Sequence, residues 1–172
     1  MIAHYSLVDA MIDARVRTQN KSPSQAFGFH NVSPVQLIER NNGKLEILLT
    51  YAFGARDNKL LLENGALYPI FARQSFTIAK PYKCSYLQWP ANLQPALDTY
   101  FSALGLPTQV KRTRSLQQHP KALSMAARAT DMALATIPGT LSVSTIKDPE
   151  MIQQNAVYDI RSGTWRFRPI FT

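Results

Sequence analysis

One cysteine, Cys84, is all the thiol this chain of 172 residues carries. It excludes an intrachain disulfide and any zinc site built from several cysteines. A reducing compartment is the default for such a chain. No apolar run is long enough to span a bilayer, so a membrane is not an expected partner. Met1 to Ser6 lack the basic-then-apolar pattern of a signal peptide, which makes the cytoplasm, or a particle assembled there, the expected location. Familiar catalytic signatures are missing too: no G-x-S-x-G elbow, no P-loop, no G-x-G-x-x-G and no H-E-x-x-H. Their absence counts more against the common nucleotide-binding classes than against an enzyme as such, and no cofactor is expected.

Acids are scarce. Eleven Asp and Glu against 19 Lys and Arg give a formal charge of +8. The excess is local. Arg73, Lys80, Lys83, Lys111, Arg112, Arg114, Lys121 and Arg128 share their stretch with one acid, Asp98, so eight minus one places +7 of the total in a third of the chain. Charge of one sign speaks to partners rather than to fold. A basic middle suits a polyanion or an acidic face on another subunit.

Hydrophobic residues make up 45%, the usual share for a chain that buries a core, and the length fits one domain, 1–172. Val8, Met11, Ile12 and Val16 fall at helical spacing, which predicts a helix from Ser6 to Arg17 with Ser6 and Asp9 in capping-box positions. Residues 18–33 read as a loop. Asn42-Gly43 and Asn64-Gly65 each stand between apolar runs, the pattern of a tight hairpin turn. They predict hairpins of 35–40 with 45–53 and of 60–62 with 66–71, Pro69 making the second return strand short or an edge. Strand character continues over 74–78 and 82–89.

A helix follows from Asn92 to Leu104, with Leu93, Leu97, Tyr100, Phe101 and Leu104 on one side and Gly105 to stop it. A second runs from Ser115 or Pro120 to Thr136 with a stripe of Leu123, Ala126, Ala127, Leu134 and Ile137. The tail predicts a strand over 140–146 and a hairpin turning at Ser162-Gly163. In that hairpin Ile160 faces Trp165, Tyr158 faces Phe167 and Asp159 faces Arg166. The fold class is α+β: an N-terminal helix, a mostly antiparallel sheet of hairpins, two helices in the second half and a C-terminal β-hairpin.

The basic run Lys111-Arg112-Thr113-Arg114, placed before the second long helix and followed by Lys121 and Arg128, is the sharpest candidate site. Such cations neutralise phosphates, and a helix start presents free N–H groups to anions. The plainer reading is a solvated loop. Trp165-Arg166-Phe167-Arg168 has the make-up of a base-stacking platform, but its aromatics pair with Ile160 and Tyr158 on an apolar face, which places them in the core. His4, His30 and His119 show no metal-ligand spacing. Cys84 suits a buried strand position better than a nucleophile. Glu39 and Glu46 face each other if Asn42-Gly43 is a hairpin turn.

Three readings follow. The first is a non-enzymatic structural or assembly subunit, a homo-oligomer or part of a multi-protein complex, docking through Lys111, Arg112, Arg114, Lys121 and Arg128. The order of elements is similar to that of small ring-forming phage head–tail and tail-terminator subunits, a likeness of order alone. The second is a nucleic-acid-binding module using the same five residues. The third is an enzyme whose site gathers His30, Glu39, Glu46, Cys84 and His119 from distant places.

Overall fold

A computed structural model describes residues 2–19, 34–81, 90–143 and 151–170. The elements in chain order are β1 (Ile2–His4), α1 (Leu7–Gln19), α2 (Pro34–Arg40), β2 (Lys44–Arg56), β3 (Lys59–Glu63), β4 (Ala66–Leu67), β5 (Pro69–Thr77), α3 (Leu93–Ala103), α4 (Gln109–Gln117), α5 (Ala122–Ala135), β6 (Thr140–Val143), β7 (Gln154–Asp159) and β8 (Thr164–Pro169). The fold is α+β with a mostly antiparallel sheet, as the order of sequence signals implies.

β2 organises the sheet. One of its edges carries β5 along residues 44–53 and then β3 at Ala55 and Arg56. Its other edge carries β1, in parallel, at 48–50 and then β7 at 53–55. β8 extends the sheet beyond β7, and β6 lies parallel along β3. A register shift between Thr50 and Ala52 leaves Tyr51 as an extra residue against β5. Such a bulge bends the strand and lets one long strand serve four neighbours. Gly54 marks the next tight place: a Cβ there would lie 3.0 Å from Cδ1 of Tyr68, and the Gly54 N–H donates to the Tyr68 carbonyl at 2.8 Å.

Helices cover both faces of the β2–β7 region. On one face Phe53, Ala55, Ala156 and Tyr158 meet Val8, Ile12 and Val16 of α1 and Ala126, Ala129 and Ala133 of α5. On the other, Ala52 and Val157 meet Leu97 and Phe101 of α3 and Val110 of α4. The odd–even split of 52 and 157 from 53, 55, 156 and 158 is the strand period of two. Alanine on α5 allows that helix to sit close, close enough for the Trp165 indole N–H to donate to the Ala133 carbonyl at 3.1 Å.

Several sequence expectations are corrected. Residues 35–40 are not a strand. They belong to α2, and Asn42-Gly43 closes that helix rather than turning a hairpin. Asn42, at φ 51°, donates from its N–H to the Glu39 carbonyl at 3.1 Å, and Gly43 to the Ile38 carbonyl at 2.9 Å. This is the pair of bonds of a helix end with a left-handed residue. The sequence Asn-Gly suits both uses, because both need positive φ.

The basic run is not a loop before a helix. It lies inside α4, a separate helix, so the second half holds three helices and not two among the described residues. Leu123, expected in the stripe of the last helix, is 62% exposed, while Ala126, Ala129, Thr130 and Ala133 are the buried set.

The last hairpin keeps its faces but not its register. Tyr158 pairs with Trp165 and Ala156 with Phe167, a slip of two residues from the expected pairs. Asp159 caps the wider turn, accepting from the Arg161 N–H at 3.0 Å and the Ser162 hydroxyl at 2.8 Å. It still pairs with Arg166, at 3.6 Å. The Asn64-Gly65 turn forms, with Leu62 opposite Leu67, but the return strand ends there: residues 69–71, expected in it, belong to β5 and pair with β2. A second tight turn at Asp57-Asn58, both at positive φ, joins β2 to β3. Expectations for residues 20–33, 82–89 and 144–150 lie outside the described residues, as do Cys84 and His30.

Candidate functional site

The five predicted cations fall on three surfaces. On α4, Gln109, Val110 and Thr113 face inward, which turns Lys111 and Arg114 outward and leaves Arg112 half-buried on the flank. Arg114 leans toward α3, where its Nη2 donates to Oε1 of Gln94 at 2.8 Å. Arg128 belongs to α5, and Lys121 is the residue that precedes it. No other described feature draws all five together.

The outer face of α5 gathers a different set. With Ala126, Ala129, Thr130 and Ala133 inward, the positions Lys121, Met125, Arg128 and Met132 stack one above another at spacings of four, three and four. All four are exposed, Met125 by 41% and Met132 by 53%. Asp131 lies to the side of this stripe, 4.0 Å from Arg15 of α1. Two thioethers alternating with two cations, in the open, is a composition that surfaces rarely carry without use: methionine and arginine are enriched where proteins meet, and methionine adapts to an irregular partner. The sequence held the signal in the 121, 125, 128, 132 spacing. It was hidden by Leu123, which suggested a different inward stripe.

A cleft of about 430 Å³ opens between β1, β2, α3 and α4. Tyr5, Gln94 and Arg114 supply its polar rim, and Leu49, Leu93 and Leu97 its apolar wall. Tyr5 is held at both ends of its backbone. Its N–H donates to the Thr50 carbonyl at 2.7 Å, and its carbonyl accepts from Nε2 of Gln117 at 3.1 Å. Behind the cleft, His4 lines the inner end and reaches Asp13 of α1.

That inner end is the most unusual electrostatic environment among the described residues. Asp9 and Asp13 are both buried on α1. Burial pushes the Asp9 carboxyl up to about 7, against the pull of His4 and of a hydrogen bond from Ser6. Asp13 accepts two hydrogen bonds from Nε of Arg17, at 2.9 and 3.0 Å. Ser6 also caps α1, its hydroxyl oxygen accepting from the Val8 N–H at 3.1 Å.

The remaining candidates separate. Glu39 lies on α2 and Glu46 on β2 opposite Ser75, so the carboxylate pair does not form. Glu46 instead stands 3.8 Å from Arg73. His119 is exposed beyond α4, where its Nδ1 accepts from the Lys121 N–H. Trp165 is buried between Phe53 and Tyr158, with ring centroids at 6.3 and 5.5 Å, and has no face left for a base. Among the described residues no three of His, Cys, Asp and Glu are placed to hold a metal ion, and no helix is long and apolar enough to cross a membrane. Neither protein-family models, nor curated proteins, nor solved structures give a match to this chain.

Proposed function

We propose that this chain is a non-enzymatic subunit of a protein assembly and that the outer face of α5 is where it docks. The observation that carries this reading is the exposed stripe of Lys121, Met125, Arg128 and Met132. The basic composition of the middle third favours an acidic surface on the partner. The finer reading, a ring component of a phage head–tail or tail structure, rests on element order alone and predicts a closed oligomer of identical subunits.

The test is size-exclusion chromatography with light scattering, read at two wavelengths, on the native chain and on a Met125→Glu/Met132→Glu variant. The native chain is expected at a multiple of 19.3 kDa, free of nucleic acid, and the variant at the monomer mass with an unchanged circular dichroism spectrum. A native chain that elutes as a clean monomer counts against self-assembly.

A nucleic-acid-binding module is the second reading. Lys111, Arg114, Lys121 and Arg128, all exposed, favour it. It predicts a monomer that carries nucleic acid and sheds it as salt rises, because bound phosphates release counterions. An affinity that does not change with salt would sink it.

A further inference from the structure

The cleft bordered by Arg114 is chemically distinct from the α5 face. Arg114 offers a full positive charge at its rim. Gln94 fixes one of its nitrogens, and no carboxylate pairs with it among the described residues. The Tyr5 hydroxyl has no hydrogen-bond partner among those residues either, while its backbone is anchored at both ends. Burial raises the Tyr5 phenol above its ordinary value, against the pull of Arg114, so the group remains an O–H donor. Opposite these donors stand Leu49, Leu93 and Leu97. Residues 49, 94 and 114 come from β2, α3 and α4 and residue 5 from the link between β1 and α1, and the tertiary fold alone brings them together. An apolar wall with a few convergent polar groups is the usual build of a ligand site, and about 430 Å³ lies within the usual size range.

We propose that this cleft binds a small organic monoanion: one carboxylate, held by Arg114 and the Tyr5 hydroxyl, on a compact apolar body that rests on the three leucines. A carboxylate matches the planar guanidinium fork, whose remaining N–H groups have no partner among the described residues and can bind it in a bidentate way. A monoanion is favoured over a dianion for two reasons. Among the described residues the rim has one cation, and Asp98 already acts on Tyr5 as a nearby negative charge. This site does not depend on the assembly reading.

The test uses the full chain, labelled with nitrogen-15 and titrated with phenylacetate, its neutral amide phenylacetamide, and phenyl phosphate. Phenylacetate is expected to shift the amides of Tyr5, Gln94 and Leu97 to saturation. Loss of the charge in phenylacetamide should weaken binding by about tenfold or more, the worth of a charged hydrogen bond. Arg114→Met should cost as much, whereas Lys111→Met, on the outside of the same helix, should leave phenylacetate binding unchanged. Because Arg114 is exposed, the fold and the oligomeric state of Arg114→Met should match the native chain, which separates this proposal from the docking face. No saturable shift at the cleft, equal binding of the amide, or equal effects of the two substitutions would overturn it. Tighter binding of phenyl phosphate than of phenylacetate would overturn the assignment to a carboxylate.

Discussion

Nε2 of His4, on the first strand, lies 3.4 Å from Oδ2 of Asp13, two turns into the first helix. The same carboxylate receives Nε of Arg17 at 2.9 Å. One buried acid thus ties β1, which pairs with the middle of β2, to the helix that covers the core. Asp13→Ala should destabilise the fold by about 1–3 kcal/mol, since it leaves buried donors without their acceptor. Arg17→Ala, which removes a more exposed partner, should cost less. Urea unfolding of both variants checks the order, and an equal loss would mean that the tie to His4 carries nothing.

Asp9 sits one turn earlier, and its raised carboxyl gives stability a definite slope with pH. An unfolded aspartate titrates near about 4, while the folded one titrates at about 7. Between those values the folded chain holds a proton that the unfolded chain has lost. Stability therefore falls as pH rises from about 4 to about 7, then levels off. The titratable groups that act on it include His4 and Tyr100. Asp9→Asn should flatten the slope in that window. Asp159 provides the contrast. Burial pushes its carboxyl up, but hydrogen bonds from Ser162 and Arg161 and the charge of Arg166 outweigh it and hold the value below the ordinary one. Its contribution is present above about pH 4 and is lost only in acid. Thermal melts across pH 3–8 separate the two, and an Asp9→Asn slope equal to the native one would refute the assignment.

Trp165 should behave as a core residue and not as a binding one. Trp165→Phe keeps most of the apolar burial but removes the indole N–H bond to the Ala133 carbonyl, which keeps its bonds from the Thr136 N–H and hydroxyl at 3.3 Å. The expected loss is that of one hydrogen bond, about 0.5–1.5 kcal/mol of unfolding free energy. Any nucleic-acid affinity should be unaffected while the chain is folded, and a selective loss of binding would restore the stacking platform.

Gly54→Ala should also destabilise, by about 1–3 kcal/mol, because the new methyl meets the ring of Tyr68 at 3.0 Å and Ile152 at 3.3 Å. Tyr68→Ala in the same chain should recover part of that loss. Strict additivity of the two changes would show that the close approach of these strands is not what requires glycine.

Much of the fold was legible because it is governed by neighbours in the chain. The α1 stripe of Val8, Ile12 and Val16, the α3 side of Leu97, Phe101 and Leu104, and the left-handed stop at Gly105 all follow from the helical period and from local backbone freedom. The faces of the last hairpin were legible for the same reason, yet its register was not. A period-two pattern looks the same after a slip of two, and the Asp159 bonds to Arg161 and Ser162 select the wider turn. Residues 35–40 are short enough to fit strand or helix, and Ile38 packing with Leu45 and Ile47 settled the choice. β1 is three residues long, below the reach of any periodicity.

The candidate sites divide in the same way. By itself the sequence determined the excess of positive charge, the inward residues of α1 and α3, and the turn at Asn64-Gly65, because each depends on composition or on spacing within a few residues. Only the tertiary structure decided that Arg114 leans to Gln94 beside Tyr5 and Leu49, and that Asp9 is buried deeply enough to keep its proton near neutrality. Those properties depend on which distant surfaces meet and exclude water, and no local pattern in the chain encodes that.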